Sequence, residues 1–398
     1  MLVTDANAAA AVATVRSLGR RGVVCTTAWQ GSSFPLAATS RHCAGTLRLP
    51  DPLSEPDAYA EGVLRHVRRG ETDAVVPVSD AARAACAPAR ESIERLAVYC
   101  AGAEAASRKA EDKWAILERS RAAGLGTPPA ALVERDADWA AAREALPGPV
   151  VLRSRRSLVR EGGRFRKPPT RVHFEPAAAE ADARLRLDRG EPFVATRYRE
   201  GTGRGVYLFL AGGEAAAWFG HLRLRETNPQ GSAACAAVPL MPSSEELAKC
   251  ARLASDLGLD GSAMIEFRTG ALGEPEWLVE INPRLWGSIQ LAVDAGLDFP
   301  WWQLRYFALG EVPTMPPSPR ALRGSRFLTA ELIHLVHAAK GPPPGWRGRY
   351  PAFRESWRGF VAAFGPGWRT YHQSASDPLP GLAEPLLFVP FGGGGRAR

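Results

Sequence analysis

Two carboxylates and an amide interrupt apolar segments of the chain. The segments are AMIEFR, which contains Glu266, and WLVEINPR, which contains Glu280 and Asn282. Side chains alternate between the two faces of a strand, so Glu280 and Asn282 share one face of the second segment. If the two strands pair antiparallel around the loop TGALGEPE, Glu266 lies opposite Glu280 with Cβ atoms about 5 Å apart. The spacing therefore predicts two facing carboxylates within apolar strands.

Two carboxylates this close need a cation between them, because an ion left unpaired outside water is costly. One solution is Mg²⁺, or Mn²⁺ in its place, bound by Glu266, Glu280 and the carbonyl oxygen of Asn282, with phosphate oxygens completing the octahedron. The other solution is a structural ion network in which Arg268 and Arg284 neutralise the pair. The spacing alone leaves both open.

The first hundred residues alternate predicted strands with predicted helices. Strands are predicted over MLVTDA, VVCTTA and TDAVVPVSD, and helices over NAAAAVATVRSLGRRG and an alanine-rich segment that ends near Glu94. This alternation predicts a parallel, doubly wound sheet of the α/β class. The G-x-G-x-x-G fingerprint does not follow the first strand, so a bound NAD is not predicted.

The middle of the chain has the pattern of an α+β fold. Antiparallel strands are predicted over EPFVATRYREG and over GVYLFLAGGEAAAWFGHLRLRE, and a helix over SSEELAKCARLASDLGL with Ser243 or Ser244 as its N-cap. The tail from about Pro313 is rich in proline and aromatic residues and contains one amphipathic helix, LTAELIHLVHAAK. The final residues, FGGGGRAR, are expected to be mobile.

Composition restricts the classes of partner. The net charge is +8 and nearly all cations are arginines. The densest basic cluster, Arg153–Lys167, contains glycines that suit a loop over phosphates better than a stacking platform for bases, so nucleic acid is not an expected partner.

The sequence predicts a cytoplasmic protein without a membrane partner. No apolar run reaches the roughly 20 residues that cross a bilayer. Asp5 precedes the first apolar stretch and arginines follow it, which is the wrong charge order for a secretory signal. The six cysteines form no C-x-x-C pair and are expected to be reduced thiols.

The order of several segments resembles the ATP-grasp superfamily, most closely its carboxylate–amine ligases and carbamoyl-phosphate-synthase-like members. The segments are AEDKWAILERSRAAGLGTPP, PVVLRS, EGTGRGVYLFLAGGE, GLDGSAMIEFR and WLVEINPRLWGSIQLAVDAGLDFP. The resemblance covers roughly residues 1 to 312. It implies a Rossmann-like pre-ATP-grasp domain (1–108), a small α+β subdomain (109–198), a large subdomain with an antiparallel sheet and the metal site (199–312), and a C-terminal extension (313–398).

The resemblance also implies roles for the acidic pair and its neighbours. Glu266, Glu280 and Asn282 match the residues that hold one or two magnesium ions on the phosphates of the nucleotide. Arg284 matches the arginine that contacts the transferred phosphate. In the segment HLRLRE, either Arg223 or Arg225 matches a basic residue near the reacting carboxylate, unless both lie on a solvated strand face.

Nucleotide-binding roles are carried over in the same way. Lys113 and Arg153 match basic residues that contact the nucleotide and its phosphates. Ser154 begins a loop that runs to Lys167 and contains Gly162 and Gly163; it matches the flap that closes over phosphates, unless it is only a basic surface loop. The adenine hinge is the poorest match, and Thr196, Arg197 and Tyr198 occupy its place.

Several neighbouring residues have structural interpretations. Gly201, Gly203 and Gly205 are expected in a turn between strands, and His221 is expected to be a satisfied structural histidine. Trp286 and Ser288 either line an acceptor pocket or simply pack.

The activity implied by the resemblance is an ATP-dependent carboxylate–amine ligase. It acts through an acyl-phosphate, releases ADP and phosphate, and uses small-molecule carboxylates and amines, with amino acids or peptides as candidates. The alternatives are phosphoryl or carbamoyl transfer without an amide product, and a non-catalytic nucleotide-binding module. ATP rather than GTP is an expectation from the family, and a homo-oligomer is a candidate state.

Overall fold

The N-terminal part of the chain forms a parallel five-stranded sheet. The computed structural model describes residues 1–31, 33–270 and 276–389. The elements of this first part are β1 (Leu2–Val3), α1 (Ala9–Gly19), β2 (Cys25–Gln30), β3 (Cys43–Leu49), α2 (Pro56–Arg68), β4 (Ala74–Val76), α3 (Asp80–Cys86), α4 (Arg90–Glu94), β5 (Val98–Tyr99) and α5 (Glu104–Ala110), with short 3-10 helices at Leu36–Thr39 and Ala87–Ala89. The strand order is β3-β2-β1-β4-β5, which confirms the predicted doubly wound sheet. The order reverses between β1 and β4, where open α/β sheets form a crevice beyond the carboxyl ends of their strands.

The next part forms a four-stranded antiparallel sheet with two helices on one face. Its elements are α6 (Lys113–Ala122), β6 (Ala130–Val133), α7 (Asp136–Ala145), β7 (Val150–Ser154), β8 (Val159–Glu161), β9 (Arg164–Arg166), β10 (Arg171–His173), α8 (Pro176–Asp188) and β11 (Phe193–Arg197). The strand order is β10-β7-β11-β6, and β8 and β9 form a separate hairpin. Asp112 begins α6 by accepting hydrogen bonds from the N–H groups of Trp114 and Ala115.

The largest sheet has seven strands and extends into the C-terminal part of the chain. Its region contains β12 (Gly203–Ala211), β13 (Glu214–Glu226), β14 (Ala234–Pro239), α9 (Ser244–Asp256), β15 (Gly261–Arg268), β16 (Trp277–Asn282), α10 (Gln290–Asp294), α11 (Phe299–Leu309), β17 (Gly324–Arg326), α12 (Leu328–Lys340), α13 (Phe353–Ala362), β18 (Trp368–Thr370), α14 (Leu379–Ala383) and a 3-10 helix at Glu384–Phe388. The strand order is β16-β15-β12-β13-β14-β17-β18. The tail beyond Pro313 therefore adds two strands to this sheet.

Several local predictions are confirmed. Ser243 caps α9 by accepting a hydrogen bond from the N–H group of Glu246. The helix predicted in the tail is α12. Most of the loop between β15 and β16, residues 271–275, and the predicted mobile end, residues 391–398, lie outside the described residues. The predicted division of the chain at residues 108, 198 and 312 stays a prediction.

The two faces of the large sheet pack into different cores. Tyr207 and Phe209 of β12 face a core shared with the N-terminal sheet and α1, whereas Val206 and Leu208 face a core shared with α6 and α9. This alternation along β12 follows from the two-residue period of a strand. The N-terminal part and the large sheet are thus joined by one continuous apolar core.

The cysteines are in the thiol state that was expected from the sequence. All six cysteines are free thiols, as predicted. In the described part of the chain, every helix is too short or too polar to cross a bilayer.

A buried ion pair connects α1 to the segment that follows β18. Arg16 Nε lies 2.7 Å from Asp377 Oδ2, and the two side chains are only 4% and 1% exposed. Arg16 also donates hydrogen bonds to the carbonyl groups of Tyr371 and His372. Residues more than 350 positions apart in the chain are held together by this one guanidinium.

We predict that Asp377→Ala lowers the free energy of unfolding by about 3–5 kcal/mol, because it leaves the buried Arg16 charge unpaired. Urea denaturation followed by circular dichroism measures the change. The matched control is Asp256→Ala, which removes a pair with Arg119 whose carboxylate is 54% exposed and should cost no more than about 1 kcal/mol. Equal losses in the two variants would contradict the prediction.

Candidate functional site

A cavity of about 1020 Å³ is bounded by the small sheet, the large sheet and the C-terminal extension. Its lining draws on all parts of the chain: Ala9 from the start of α1; Val151, Arg153 and Thr196–Arg199 from the small sheet and the residues that follow β11; Arg223, Glu266, Glu280, Asn282 and Arg284 from the large sheet and its edge; and Phe327, Trp346 and Tyr371 from the extension. Most of the residues predicted to do chemistry therefore border one space.

The acidic pair lies in the register predicted from the sequence. Glu266 of β15 is directly opposite Glu280 of β16, and both line the cavity. The pairing then shifts by one residue, because Phe267 pairs with Leu278 and leaves Val279 as a β-bulge. Arg153 Nη1 donates a hydrogen bond of 2.8 Å to the Val279 carbonyl. The bulge thus connects the small sheet to the large one beside the two carboxylates.

Arg223 neutralises one of the carboxylates. Its Nη2 lies 2.6 Å from Glu266 Oε2, and Nη1 donates hydrogen bonds of 3.2 Å to Glu226 and to the carbonyl group of Ser232. Burial works against the charge of Arg223, but Glu266 and Glu226 outweigh it and raise the pKa of the guanidinium. Burial also raises the pKa of Glu266; Arg223 opposes that rise and Glu280 adds to it. The guanidinium beside Glu266 is therefore Arg223, and not Arg268 or Arg284, the two arginines named in the alternative of a structural ion network.

Asn282 and Arg284 form a chain of contacts that ends in the N-terminal part. Asn282 Nδ2 donates to Glu280 Oε1 at 2.9 Å, and Arg284 Nη2 donates to Asn282 Oδ1 at 3.1 Å. Arg284 Nε pairs with Asp80 Oδ2 at 2.8 Å, at the start of α3. Burial disfavours the charge of Asp80, but the charge of Arg284 and its hydrogen bond lower the pKa of Asp80 overall. Arg284 borders the cavity with each of its nitrogens already bonded.

Lys113 lies close to this network but does not line the cavity. Its Nζ donates a hydrogen bond of 2.8 Å to Ser157 Oγ, in the loop that follows β7. Burial lowers the pKa of Lys113 to about 8, and the charge of Glu280 partly opposes this shift. The charge of Glu280 therefore affects the pKa of Lys113, although the lysine does not contact that carboxylate.

The donor set suits a hard divalent cation. Glu266 and Glu280 supply carboxylate oxygens from opposite positions of two paired strands, and Asn282 adds an amide oxygen on the same cavity wall. The described residues contain no cluster of three or more His, Cys, Asp or Glu side chains arranged for a metal. A cation bound here would therefore need additional oxygen ligands from a phosphate or from water.

Two predicted site residues are turned away from the cavity. Strand alternation places Arg153 on the cavity face of β7 and Ser154 on the opposite face, where it is buried opposite Phe193. Arg225 was expected to share a face with Arg223. A β-bulge at Leu224 breaks the alternation, and Arg225 pairs with Glu331 of α12 instead.

The glycines of the predicted flap do not line the cavity either. Gly162 and Gly163 form the exposed turn of the β8–β9 hairpin, with φ of 56° and 78°. The hairpin lies against the N-terminal part, where Phe165 donates its N–H to the Leu53 carbonyl at 2.7 Å and Arg160 pairs with Asp57 at 2.9 Å. At the end of the predicted flap, Lys167 does border the cavity.

The predicted hinge residues Thr196, Arg197 and Tyr198 line one end of the cavity, which we call the hinge end. The N–H groups of Arg197 and Tyr198 donate to the carbonyl groups of Pro129 and Pro149, at 3.0 and 2.9 Å. Those two N–H groups are therefore committed to the protein and not to a ligand.

The extension contributes residues at the hinge end that the sequence did not single out. Trp346 packs edge-on against Phe174 with ring centroids 5.0 Å apart, and its ring lies 6.1 Å from that of Tyr198. The N–H group of Arg349 donates to Glu200 at 2.7 Å. The proline-rich and aromatic composition of the tail was the only sequence signal for this contact.

Trp286 and Ser288 line the cavity, and His221 is buried next to Ser288. His221 is 1% exposed and its Nε2 lies 2.7 Å from the Tyr207 hydroxyl. Burial, and then the charges of Arg223 and Arg204, lower the pKa of His221 to about 3, so the ring is neutral. Trp286 lines the cavity and also stacks on Tyr207 with ring centroids 4.0 Å apart; its role in an acceptor pocket stays a prediction. Ser288 lines the cavity 3.5 Å from His221 Nδ1.

The turn expected at Gly201, Gly203 and Gly205 is wrong at the last two of these positions. The glycines at those two positions belong to a strand and make room for neighbouring side chains. Gly203 and Gly205 lie within β12. A Cβ atom at Gly203 would fall 2.7 Å from Arg223 Cδ and 2.9 Å from its Nη1. The missing side chain lets Arg223 cross the neighbouring strand to reach Glu266.

Comparison with known proteins supports this architecture. Residues 223–326 match the sequence model of a family described as ATP-grasp in the biosynthetic pathway with Ter operon. No curated protein matches the sequence. The matched segment begins at Arg223 and includes Glu266, Glu280, Asn282 and Arg284.

Solved structures of similar fold come from enzymes with nucleotide-bound forms and from a ligase. The biotin carboxylase domain of Hydrogenobacter thermophilus 2-oxoglutarate carboxylase, solved with MgADP, ADP and bicarbonate, has a TM-score of 0.60 and 17% identity, covering 81% of this chain and 72% of that one. The L-amino acid ligase of Bacillus licheniformis has a TM-score of 0.58 and 16% identity, covering 79% and 77%. The N5-carboxyaminoimidazole synthetase of Staphylococcus aureus, complexed with ADP, has a TM-score of 0.57 and 12% identity, covering 79% and 78%. The chain has the ATP-grasp fold, and the resemblance to the ATP-grasp superfamily is confirmed.

We predict that Gly203→Ala lowers the free energy of unfolding by about 1–3 kcal/mol, because Arg223 must move away from its carboxylate partners. Gly287→Ala is the matched control, since a Cβ atom there meets no heavy atom within 4 Å, and it should change stability by no more than about 0.5 kcal/mol. Urea denaturation of both variants measures the difference. If Gly203→Ala were as stable as Gly287→Ala, Arg223 would not depend on this gap.

Proposed function

We propose that this protein is an ATP-dependent ligase that joins a small-molecule carboxylate to an amine. The observation that carries the proposal is the placement of Glu266 opposite Glu280 in an ATP-grasp fold, with Arg153 and Arg223 converging on the same cavity wall. Such a wall can hold a triphosphate and its cation while a carboxylate is activated.

The proposed reaction has two steps. A carboxylate oxygen of the first substrate attacks the γ-phosphorus of ATP, so ADP leaves and an acyl-phosphate forms. The amine nitrogen then attacks the acyl carbon, the C–O bond to phosphate breaks, and an amide and inorganic phosphate are released. Phosphoryl transfer needs in-line positioning and neutralisation of phosphate charge more than covalent help from the protein.

The residues that would hold a divalent cation are Glu266, Glu280 and Asn282. Mg²⁺, or Mn²⁺, would supply neutralisation of the negative charge on the phosphates. Arg223 opposes the rise in the pKa of Glu266 that burial causes, and Asn282 is held between Glu280 and Arg284. The protein thereby maintains oxygen ligands at this wall before any ligand arrives.

Fixed cations of the chain would act on the phosphates and on the substrate carboxylate. Arg153 is buried and lies on the cavity face of the small sheet, within the electrostatic influence of both Glu266 and Glu280. We assign it to the phosphates, together with Arg284 and with Lys113, which does not line the cavity and would act through its charge. Arg223 is assigned to the reacting carboxylate, and Arg225 is not assigned to the site because it pairs with Glu331.

The hinge end is the proposed position of the nucleobase. Thr196 and Tyr198 form its wall, and Trp346 of the extension packs at the same end. Aromatic rings stack on bases without selecting one base strongly. We retain ATP as the expected nucleotide because of the resemblance to the ATP-grasp superfamily.

The opposite end, near α1, is the proposed position of the first carboxylate substrate. Helix α1 begins at Ala9, which lines the cavity, and no side chain caps its first N–H groups. The positive end of a helix dipole favours an anion at this place. Ser288 and Tyr371 border the same region with hydroxyl groups.

The test is ADP release measured against a matrix of carboxylates and amines, including amino acids and short peptides, followed by mass analysis of the products. The proposal expects ADP release that requires both substrates and an amide of matching mass. A phosphorylated or carbamoylated product without an amide would instead identify another ATP-grasp reaction. ATP binding without ADP release across the whole matrix would identify a non-catalytic nucleotide-binding module.

We predict that Glu280→Gln lowers turnover by at least about 10²-fold, because a lost stabilising group at a developing oxyanion alone costs about 10²–10³ and a metal ligand carries more charge. The variant keeps the shape of the side chain and its hydrogen bond from Asn282. Glu245→Gln is the control, since Glu245 is exposed on α9 and pairs with Lys249 four residues further along the helix. Near-normal turnover of Glu280→Gln at ordinary magnesium concentration would refute the metal assignment.

We predict that the Kd for ATP rises as the pH passes above about 8, because Lys113 loses its proton there. The folded-state pKa is below that of a free lysine, so the charge is present below pH 8 and is lost above it. The charged groups that influence Lys113 are Glu280, Arg153, Glu111 and Asp80.

Calorimetric titrations of ATP between pH 7 and 9.5 measure this effect, which should reach about tenfold per pH unit above the pKa. Lys113→Arg is the matched variant, because a guanidinium stays charged over this range. Its Kd should stay constant with pH. A wild-type Kd that does not change across the range would remove Lys113 from the nucleotide site.

A further inference from the structure

A second cavity, of about 340 Å³, lies between α1, α10 and the segment around β18. We call it the α10 cavity. Its size is at the lower end of small-molecule sites. Neither the nucleotide nor the carboxylate assigned to the larger cavity uses it, and Tyr371 alone among the described residues borders both cavities.

The wall of the α10 cavity is rigidly built. The ion pair between Arg16 and Asp377 fixes the segment after β18, and Arg16 also binds the carbonyl groups of Tyr371 and His372. The hydrogen bonds that Arg16 donates therefore hold this wall in place. Such a buried, fully bonded support preorganises a small site.

One side of the α10 cavity presents acceptors that lack donors. Asp294 Oδ1 accepts one hydrogen bond, of 2.7 Å, from Gln290 Nε2. No cation lies within ion-pair distance of Asp294 in residues 1–31, 33–270 and 276–389, and the buried Gln290 Oε1 has no hydrogen-bond partner. Burial raises the pKa of Asp294, while Gln290 and the charges of Arg369 and Arg20 oppose the rise. A positively charged donor would satisfy both oxygens.

The other side presents two guanidinium groups, of Arg20 and Arg369, that act on Asp294 only through their charge. Arg20 and Arg369 are exposed and line the cavity. Across the described ranges, neither guanidinium makes a hydrogen bond or an ion pair. Arginine is well suited to hold a carboxylate, because its planar fork can bind both oxygens.

We propose that the α10 cavity binds a free α-amino acid, whose carboxylate pairs with Arg20 and Arg369 and whose ammonium group donates to Asp294 and Gln290. A simple anion would leave the acceptors of Asp294 and Gln290 unsatisfied. A simple amine would place its positive charge near Arg20 and Arg369 and would supply no anion to pair with these arginines. Only a ligand that carries both groups satisfies both sides.

The test is isothermal titration calorimetry of the full chain without nucleotide, with each of the common L-amino acids as the probe. At least one should bind. For that amino acid, the des-amino carboxylic acid and the decarboxylated amine should each bind about tenfold or more weakly, since each loses a charge-assisted contact.

Two variants locate the binding. Asp294→Asn keeps the hydrogen bond from Gln290 but removes the charge, and Arg369→Gln removes one guanidinium; each should weaken binding about tenfold or more. Arg358→Gln, which changes an exposed arginine on α13, is the matched control and should not alter the affinity. Melting temperatures of all three variants establish that they fold.

Several results would overturn the proposal: no binding by any amino acid, equal binding of the des-amino acid, or binding unchanged in both Asp294→Asn and Arg369→Gln. The last result would place the amino acid elsewhere, for example in the larger cavity as a substrate. Because the measurement uses neither ATP nor turnover, absence of ligase activity would leave this outcome unaffected, and Glu280→Gln should bind the amino acid as the wild type does.

Discussion

Two carboxylates held in register inside a packed sheet are the constraint on which the rest of the site depends. Glu266 and Glu280 face each other across β15 and β16, and burial raises the pKa of Glu266. Such a pair persists only where cations are fixed around it, because the cost of an uncompensated buried charge is large. The structure meets this requirement with two arginines. Arg223 contacts Glu266 directly. Arg153 lies on the small sheet, which faces the acids, and the charges of both acids act on it.

Two arginines that line the cavity also hold the parts of the chain together. Arg153 of the small sheet donates to the carbonyl group of Val279 in the large sheet, and Arg284 at the end of β16 pairs with Asp80 in the N-terminal part. Two β-bulges change which residues face the cavity. The bulge at Val279 carries the carbonyl group that Arg153 binds, and the bulge at Leu224 separates Arg223 from Arg225. The same side-chain contacts therefore set the geometry of the candidate site and hold the parts of the fold together.

The C-terminal extension is part of the site rather than a cover over the core. It adds β17 and β18 to the large sheet, brings Phe327, Trp346 and Tyr371 to the cavity, and takes Arg225 away from it through Glu331. It also forms one wall of the α10 cavity, held by the pair between Arg16 and Asp377. None of these contacts has a periodicity or a spacing that could be read along the chain, since each joins residues far apart in sequence.

The sequence by itself determined the alternating strands and helices of the N-terminal part, the antiparallel hairpins of the large sheet, and the pairing of Glu266 with Glu280. These follow from the two-residue period of strands and from turn and cap residues, which act over a few positions. Tertiary structure alone decided that Arg223 and not Arg225 faces the cavity, that Gly203 lies in a strand beneath Arg223, and that the flap glycines lie away from the cavity. The physical reason is that a single bulged residue, or a partner hundreds of positions away, reverses the direction of a side chain without leaving a local pattern in the sequence.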